Sequence, residues 1–228
     1  MKLNIHNTFI NELPADENLE NSIRPVDNAC FSFVKPIKTK APQLLHVAKE
    51  VAHEIGLTEK DIQSEAFLKV FTGNAIYPNT KPFAIAYAGH QFGNWAGQLG
   101  DGRAIALFEI EHESKSWMLQ LKGGGKTPYS RRGDGLAVLR SSIREHLCSE
   151  AMFHLGIPTT RALSLSLSGD KVLRDIMYDG NPAYEKGAIV CRVAESFLRF
   201  GNYEILAARN DVKNLKILVD YTLKHHFP

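Results

Sequence analysis

Glycine crowds one stretch of this sequence. Five glycines fall between Gly89 and Gly102, and the last three, Gly97, Gly100 and Gly102, sit in GQLGDGRA just before an apolar run. A glycine lets backbone N–H groups come close to an anion with no Cβ in the way. The adjoining Arg103 can pair bidentately with a phosphate. A dinucleotide fingerprint is excluded, because its glycines must open a helix, whereas RAIALFEI from Arg103 to Ile110 reads as a buried strand. Spacing alone leaves two readings equally open here, a tight turn at a sheet edge and a phosphate loop.

Lys122 ends a second strand-like run, SWMLQLK, among residues that ought to be buried. Glu145 follows 23 residues later, on a helical stretch from Leu136 to Leu155. A helix packed across a sheet can aim its carboxylate at the end of a central strand. The pair would then hold the ammonium against a phosphate, as a strand lysine and a helix glutamate do in kinases. A solvated lysine and a surface glutamate near Arg140 and Arg144 would explain either residue alone; with the glycine loop upstream, the paired reading is favoured. Arg192 interrupts the apolar run AIVCRVA, and Arg199 follows in SFLRFG. A buried guanidinium must meet an anion or a carboxylate. The choice is a structural bridge to an acid such as Glu195 or Glu204, or two arginines clamping a terminal phosphate. GGGKT at Gly123–Thr127 is not a Walker loop, since Gln120 stands where the first glycine is required and Pro128 follows the threonine. It reads as a hinge leading into Tyr129–Gly135.

The elements that must carry these residues follow from periodicity. Residues 1–42, broken by Pro14, Pro25, Pro36 and Pro42, read as an arm lying over a domain. Leu44, Leu45, Ala48, Val51, Ala52 and Ile55 follow helical spacing up to Gly56, and residues 61–71 suggest a short second helix closed by Gly73. The two apolar strands flank a short polar loop, Glu111–Lys115, and so form a hairpin. The long helix should bury a stripe of Leu136, Leu139, Ile143, Leu147 and Ala151, and stop at Gly156 and Pro158. Leu163, Leu165 and Leu167 alternate with serines as a half-exposed strand, Gly169 and Asp170 turn, and Val172 resumes extended structure. Ala188–Ala194 adds a strand, and Asp211 caps a last helix over Val212–Lys224. The fold class is α+β, divided as an N-terminal arm with helices (1–73), a nucleotide-binding lobe (74–200) and the start of a further lobe (201–228).

Composition narrows the function. The 228 residues carry a formal net charge of +2, too little to gather nucleic acid through a broad field, so cationic side chains matter by position. Cys30, Cys148 and Cys191 are odd in number and far apart, which speaks against a disulfide framework and a zinc site. No apolar run reaches about 18 residues, and the first 20 residues lack a signal-peptide core. A reducing, cytoplasmic setting, with neither nucleic acid nor membrane as partner, is the expectation.

Four strings, YAGHQFGNWAGQLGDGRA, LQLKGGGKTPYSRRGDGLAVLRSSIREHLCSEAM, LGIPTTRALS and RVAESFLRFGNYE, resemble the SelO (YdiU) family of pseudokinase-fold protein adenylyltransferases. The resemblance runs from about Asn74 to the end and rests on long, unusual strings. It implies a protein-kinase-like N-terminal lobe and transfer of AMP from ATP, or UMP from UTP, to Ser, Thr or Tyr hydroxyls of proteins, with Mg or Mn as the metal. It also implies that ATP lies flipped relative to ordinary kinases. By motif it places Gly100, Gly102, Arg103, Lys122, Asp134, Gly135, Arg192 and Arg199 at the nucleotide, with Glu145 as the partner of Lys122. The family's general base, an aspartate followed by a metal-binding asparagine, and its metal aspartate are expected beyond residue 228. On that reading the chain resembles an N-terminal fragment, inactive alone and carrying neither a catalytic base nor a metal ligand. Two rivals remain: a non-catalytic pseudokinase remnant and an ordinary ATP-dependent phosphotransferase.

Overall fold

A computed structural model describes residues 1–227. The sheet strands, in chain order, are β1 (Phe31–Phe33), β2 (Gln43–Val47), β3 (Phe83–Ile85), β6 (Ala104–His112), β7 (Lys115–Lys122), β8 (Ala137–Val138), β9 (Arg161–Arg174) and β10 (Ala183–Ala194). They pair antiparallel in the order β1-β3-β6-β7-β10-β9-β2, with β8 beside β10. A separate hairpin is made of β4 (Ala88–Gln91) and β5 (Asn94–Gln98). The helices are α1 (Thr8–Glu12), α2 (Lys49–Glu54), α3 (Glu59–Ile62), α4 (Glu65–Phe71), α5 (Leu139–His154), α6 (Phe200–Ala208) and α7 (Val212–His226). The α+β class expected from the sequence is the class found.

The β6–β7 hairpin forms as its pattern predicts, with Glu113 and Ser114 at φ 49° and 62° making the turn. Two consecutive left-handed residues twist a two-residue connection to match the strands. Successive β7 side chains then point to opposite faces. Leu119 and Leu121 enter one core cluster with Val51, Phe67, Phe71 and Phe108, while Met118 joins the other, which holds Phe9, Phe31, Phe83 and Tyr221.

The N-terminal arm is a structural part of that second cluster. Phe9 stacks on Phe83 with ring centroids 5.1 Å apart and meets Tyr221 edge-on at 5.8 Å. The buried Glu109 carboxylate accepts from the Phe9 N–H (2.6 Å) and the Thr8 hydroxyl (3.2 Å), and Thr8 Oγ1 lies 3.0 Å from the Tyr221 hydroxyl. Burial pushes the Glu109 carboxyl up, partly offset by the Phe9 and Thr8 donors.

Several expectations are corrected. The helical spacing over Gln43–Ile55 holds only from Lys49; Gln43–Val47 is an edge strand, because its backbone pairs with β9. The single helix expected over 61–71 is two, α3 and α4, divided at Ser64, whose hydroxyl caps the second. β9 is neither half-exposed nor interrupted at Gly169. Ser164, Ser166 and Ser168 are buried between β10 and β2, and the strand runs on through Gly169 with a register shift against β10. Of the stripe expected to bury on α5, Leu136 and Leu139 are half-buried, with Leu139 packed against Ala162, Leu165 and Val190, but Ile143, Leu147 and Ala151 are exposed. The helix instead turns Ser142, Glu145, His146 and Glu150 inward, a polar face with i, i+3, i+4 spacing. Ion pairs to the sheet set its rotation, and these outweigh the apolar stripe.

Candidate nucleotide-binding cleft

A cleft of about 890 Å³ opens where the Leu99–Arg103 loop, the ends of β7, β9 and β10, and the Tyr129–Leu136 segment meet. That volume lies within the range of small-molecule sites. Its lining includes Gly100, Gly102, Arg103, Lys122, Asp134, Gly135, Arg192 and Arg199, so eight residues singled out in the sequence meet in one place. Glu145 stands just behind the lining, bonded to two of them.

The Gly100–Arg103 loop departs from a backbone anion cradle. The N–H groups of Leu99 and Gly100 donate to Tyr87 O, that of Asp101 to Ile85 O, and that of Gly102 to Gly100 O. These donors are engaged within the protein, while the Arg103 side chain lines the cleft. Gly100 is required for another reason: at φ 72° a Cβ would sit 2.3 Å from Cγ of the buried Tyr129 ring. Gly135 is similar, since at φ 74° a Cβ would collide with the Gly125 backbone at 2.1 Å. No helix opens after Thr127; its hydroxyl donates to Asp101 O and its N–H donates to Ser130 Oγ, closing a turn.

Lys122 and Glu145 do meet between sheet and helix, Nζ to Oε2 at 3.3 Å. Burial and the neighbouring Arg192 guanidinium push the Lys122 ammonium below its ordinary range, with Glu145 pulling it back up. The other carboxylate oxygen of Glu145 lies 3.3 Å from Arg192, so one carboxylate serves two cations. Arg192 therefore has a carboxylate partner, but on α5 and not at Glu195 or Glu204. Its second amino group donates to the Gln120 amide oxygen, its plane lies 5.2 Å from the Phe197 ring, and its buried Nε has no partner. Arg199 is held differently. Its backbone N–H donates to Asn202 Oδ1, Asn202 Nδ2 donates to Ala86 O, and its guanidinium rests over the Tyr87 ring at 4.9 Å. Among the described residues neither Arg103 nor Arg199 meets a carboxylate within 4 Å.

Asp134 is not free to bind a ligand group through both oxygens. Arg174, from the end of β9, grips it with bonds of 2.7 and 2.9 Å. Burial alone would raise the Asp134 carboxyl, but Arg174 and the Leu136 N–H outweigh it and hold it low. Arg174, Arg131 and Arg132 also line the cleft. Arg174 carries no signal in the sequence, because only the full length of β9 brings it to the rim.

The cleft thus gathers seven cationic side chains against two carboxylates, Asp101 and Asp134, both already hydrogen-bonded within the protein. Such an excess suits a polyanion with several phosphate groups. It does not suit a divalent cation: no cluster of three or more His, Cys, Asp or Glu side chains able to hold a metal occurs among the described residues. No helix among them is long and apolar enough to cross a membrane. The three cysteines are unpaired, with Cys148 exposed and the other two buried.

Comparison with known proteins agrees with the strings singled out above. A family model described as Protein adenylyltransferase SelO matches residues 15–228. A protein nucleotidyltransferase YdiU of Flavobacterium johnsoniae is 64% identical over 226 residues, which is 99% of this chain and 43% of that protein. Proteins of the same description from Rhodopirellula baltica and Methylobacillus flagellatus are 58% and 55% identical, covering 99% of this chain and 42% and 44% of theirs. The chain spans less than half the length of these relatives.

Proposed function

The chain belongs to the SelO family of protein adenylyltransferases, and from that premise we propose that its cleft binds the triphosphate of ATP or UTP as the nucleotide-binding half of a protein nucleotidyltransferase. The observation that carries this reading is the convergence of Arg103, Lys122, Arg192 and Arg199 on one cleft whose acids are internally engaged. Lys122, set by Glu145, and Arg192, set by Gln120 and Glu145, supply fixed positive charge. Arg103 and Arg199, free of carboxylate partners, move onto the phosphates. On this reading the sheet with α5 across it is a protein-kinase-like N-terminal lobe.

The reaction of the whole protein is attack by a Ser, Thr or Tyr hydroxyl oxygen of a protein substrate on the α-phosphorus. The new O–P bond forms as the bond to the β-phosphate bridging oxygen breaks. Pyrophosphate leaves with the electron pair, and the hydroxyl proton passes to a base. Cations on the β- and γ-phosphates neutralise charge that grows on the leaving group, which lowers the barrier without any covalent step on the protein. Mg or Mn belongs to the whole protein's chemistry; no set of ligands for it occurs among the described residues, and no step here is assigned to a metal.

Titration of the chain with ATP, ADP, AMP and tripolyphosphate tests the reading. Affinity should rise with phosphate number, and Lys122→Ala should weaken ATP more than AMP. Equal binding of ATP and AMP would overturn the polyphosphate assignment. In a protein of the relatives' length, label from the α-phosphate and not the γ-phosphate should appear on protein; γ-label would make it a phosphotransferase.

A further inference from the structure

Under the cleft lies a chain of buried polar side chains that the cleft's own residues do not explain. Asp101 sits between Gly100 and Gly102, yet its carboxylate turns inward, and the residue is only 4% exposed. Its Oδ2 accepts from Ile85 N at 3.2 Å and from Gln120 Nε2 at 2.9 Å. Gln120 is fully buried and lies on the same face of β7 as Lys122, two residues earlier. Its amide oxygen accepts from Arg192, directly opposite it in the β7–β10 register. We propose that Gln120, fixed by Asp101, is a positioning residue that sets the guanidinium of Arg192 for the nucleotide phosphates.

The argument is one of donors and acceptors. A carboxylate only accepts and a guanidinium only donates. Gln120 between them has one allowed orientation, with Nε2 toward Asp101 and Oε1 toward Arg192. Remove the acceptor at residue 101 and the amide is free to flip, which would set an NH2 group against Arg192. With Gln120 held in that orientation, the guanidinium is pinned at one amino group by Gln120 and at the other by Glu145. Two fixed points define its plane, and the buried Nε, which has no partner, is held in one direction. A bidentate phosphate contact depends on that plane more than on the charge. Asp101 also places a carboxyl group beneath Arg192, Arg199 and Lys122, whose charges lower its pKa against a larger rise from burial. Arg199, at the N-cap of α6 and resting on Tyr87, shares none of these bonds. Gln120 should therefore act through Arg192 alone.

The inference rests on the nucleotide reading of the cleft, and a double-mutant cycle with ATP as the titrant separates the two. Gln120→Met, which keeps the side-chain volume but removes both hydrogen bonds, should weaken ATP binding by about tenfold or more. In an Arg192→Ala background the same change should cost less than about twofold, whereas in an Arg199→Ala background it should keep its full effect. Urea midpoints for each variant confirm a folded state. A loss of equal size in both backgrounds would make Gln120 a packing residue and overturn the inference, as would wild-type affinity in Gln120→Met. If Gln120→Met does not fold, Gln120→Glu decides: it sets two carboxylates against each other and should weaken ATP. Adding Asp101→Asn, which restores a donor facing an acceptor, should recover the affinity to within about threefold of wild type. No recovery would overturn the inference. If the wild-type chain itself fails to bind ATP, the cleft reading falls and takes this one with it.

Discussion

Two carboxylates on α5 bind cations from the sheet, a turn and a half apart, in contrasting ways. Glu150 takes Arg161 in a two-pronged grip at 2.9 and 2.7 Å, and also accepts from the Ala162 N–H at 3.1 Å. The Arg161 side chain is 5% exposed, lies 3.5 Å over the Phe153 ring, and draws in Glu50 and Glu54 at its edge. Glu145 instead divides itself between Lys122 and Arg192 at 3.3 Å each, beside open cleft. Each region leaves one buried guanidinium nitrogen without a hydrogen bond, Arg161 Nη1 and Arg192 Nε; what differs is that Glu150 grips one arginine through short paired bonds while Glu145 shares longer ones between two cations. Glu150 is spent on one buried arginine, whereas Glu145 is divided between two cations at the edge of an open cleft, which suits the proposed binding role.

Cutting the Glu150 grip should have the largest effect. Glu150→Ala leaves the buried Arg161 without its main partner and should lower stability by about 3–5 kcal/mol in urea unfolding. A loss below about 1 kcal/mol would erase the contrast. Arg192→Ala should act on the ligand: ATP affinity falls by about 1.5–3 kcal/mol, with a smaller stability loss than Glu150→Ala. If both variants lose the same stability, the two regions do the same job.

Acid sharpens the contrast further. Burial alone would raise the Glu150 carboxyl, but the Arg161 bonds and the Ala162 N–H outweigh it and hold it below its ordinary range. A depressed carboxylate contributes stability above its unfolded pKa, about 4.3, and loses it as pH falls through the lower folded value. The gap in urea midpoint between wild type and Glu150→Gln should be full at pH 7 and shrink steadily below about pH 4.3. A gap unchanged down to pH 2 would assign the stabilisation to packing over Phe153. Smallest of all is a third pair on the same helix. Arg140 meets Glu185 at 2.7 Å, as short as the Arg161 bond, but here the arginine side is exposed, 47% against 5% for Arg161. Arg140→Ala should leave the urea midpoint unmoved, because geometry without burial is screened by water.

Much of this was legible in the residues themselves. The β6–β7 hairpin followed from apolar runs around a polar gap, and the Lys122–Glu145 meeting from the two residue types read together with the upstream glycine loop and the family resemblance. The side of α5 that faces the sheet was not legible, because its apolar stripe is real but the ion pairs to Arg161, Lys122 and Arg192 set the rotation, and their strands lie before and after the helix. The strand at Gln43–Val47 was misread for a related reason: its conformation comes from pairing with β9, about 120 residues away, against local helical spacing. The helix α6 and the β4–β5 hairpin had no periodic signal. Asp101 and Gln120 were visible as residues, and period two along SWMLQLK already puts Gln120 beside Lys122. What was missing was the cross-strand register that sets Gln120 opposite Arg192.

The bond from Thr8 to Tyr221 joins residues 213 apart, and those from Thr8 and Phe9 to Glu109 join residues about 100 apart. On a ribosome adding about 5–20 residues per second, the arm is made before Tyr221 and waits on the order of 10–40 s for it. Throughout that interval Phe9 and Leu13 have no finished core to enter, and their apolar surface is open to chaperones or to other nascent chains. Closure at the arm is thus a late event that depends on the last helix described. Contacts of such span slow folding, because loop-closure entropy is lost before they form. A segment synthesised long before Tyr221 is among the last to be secured.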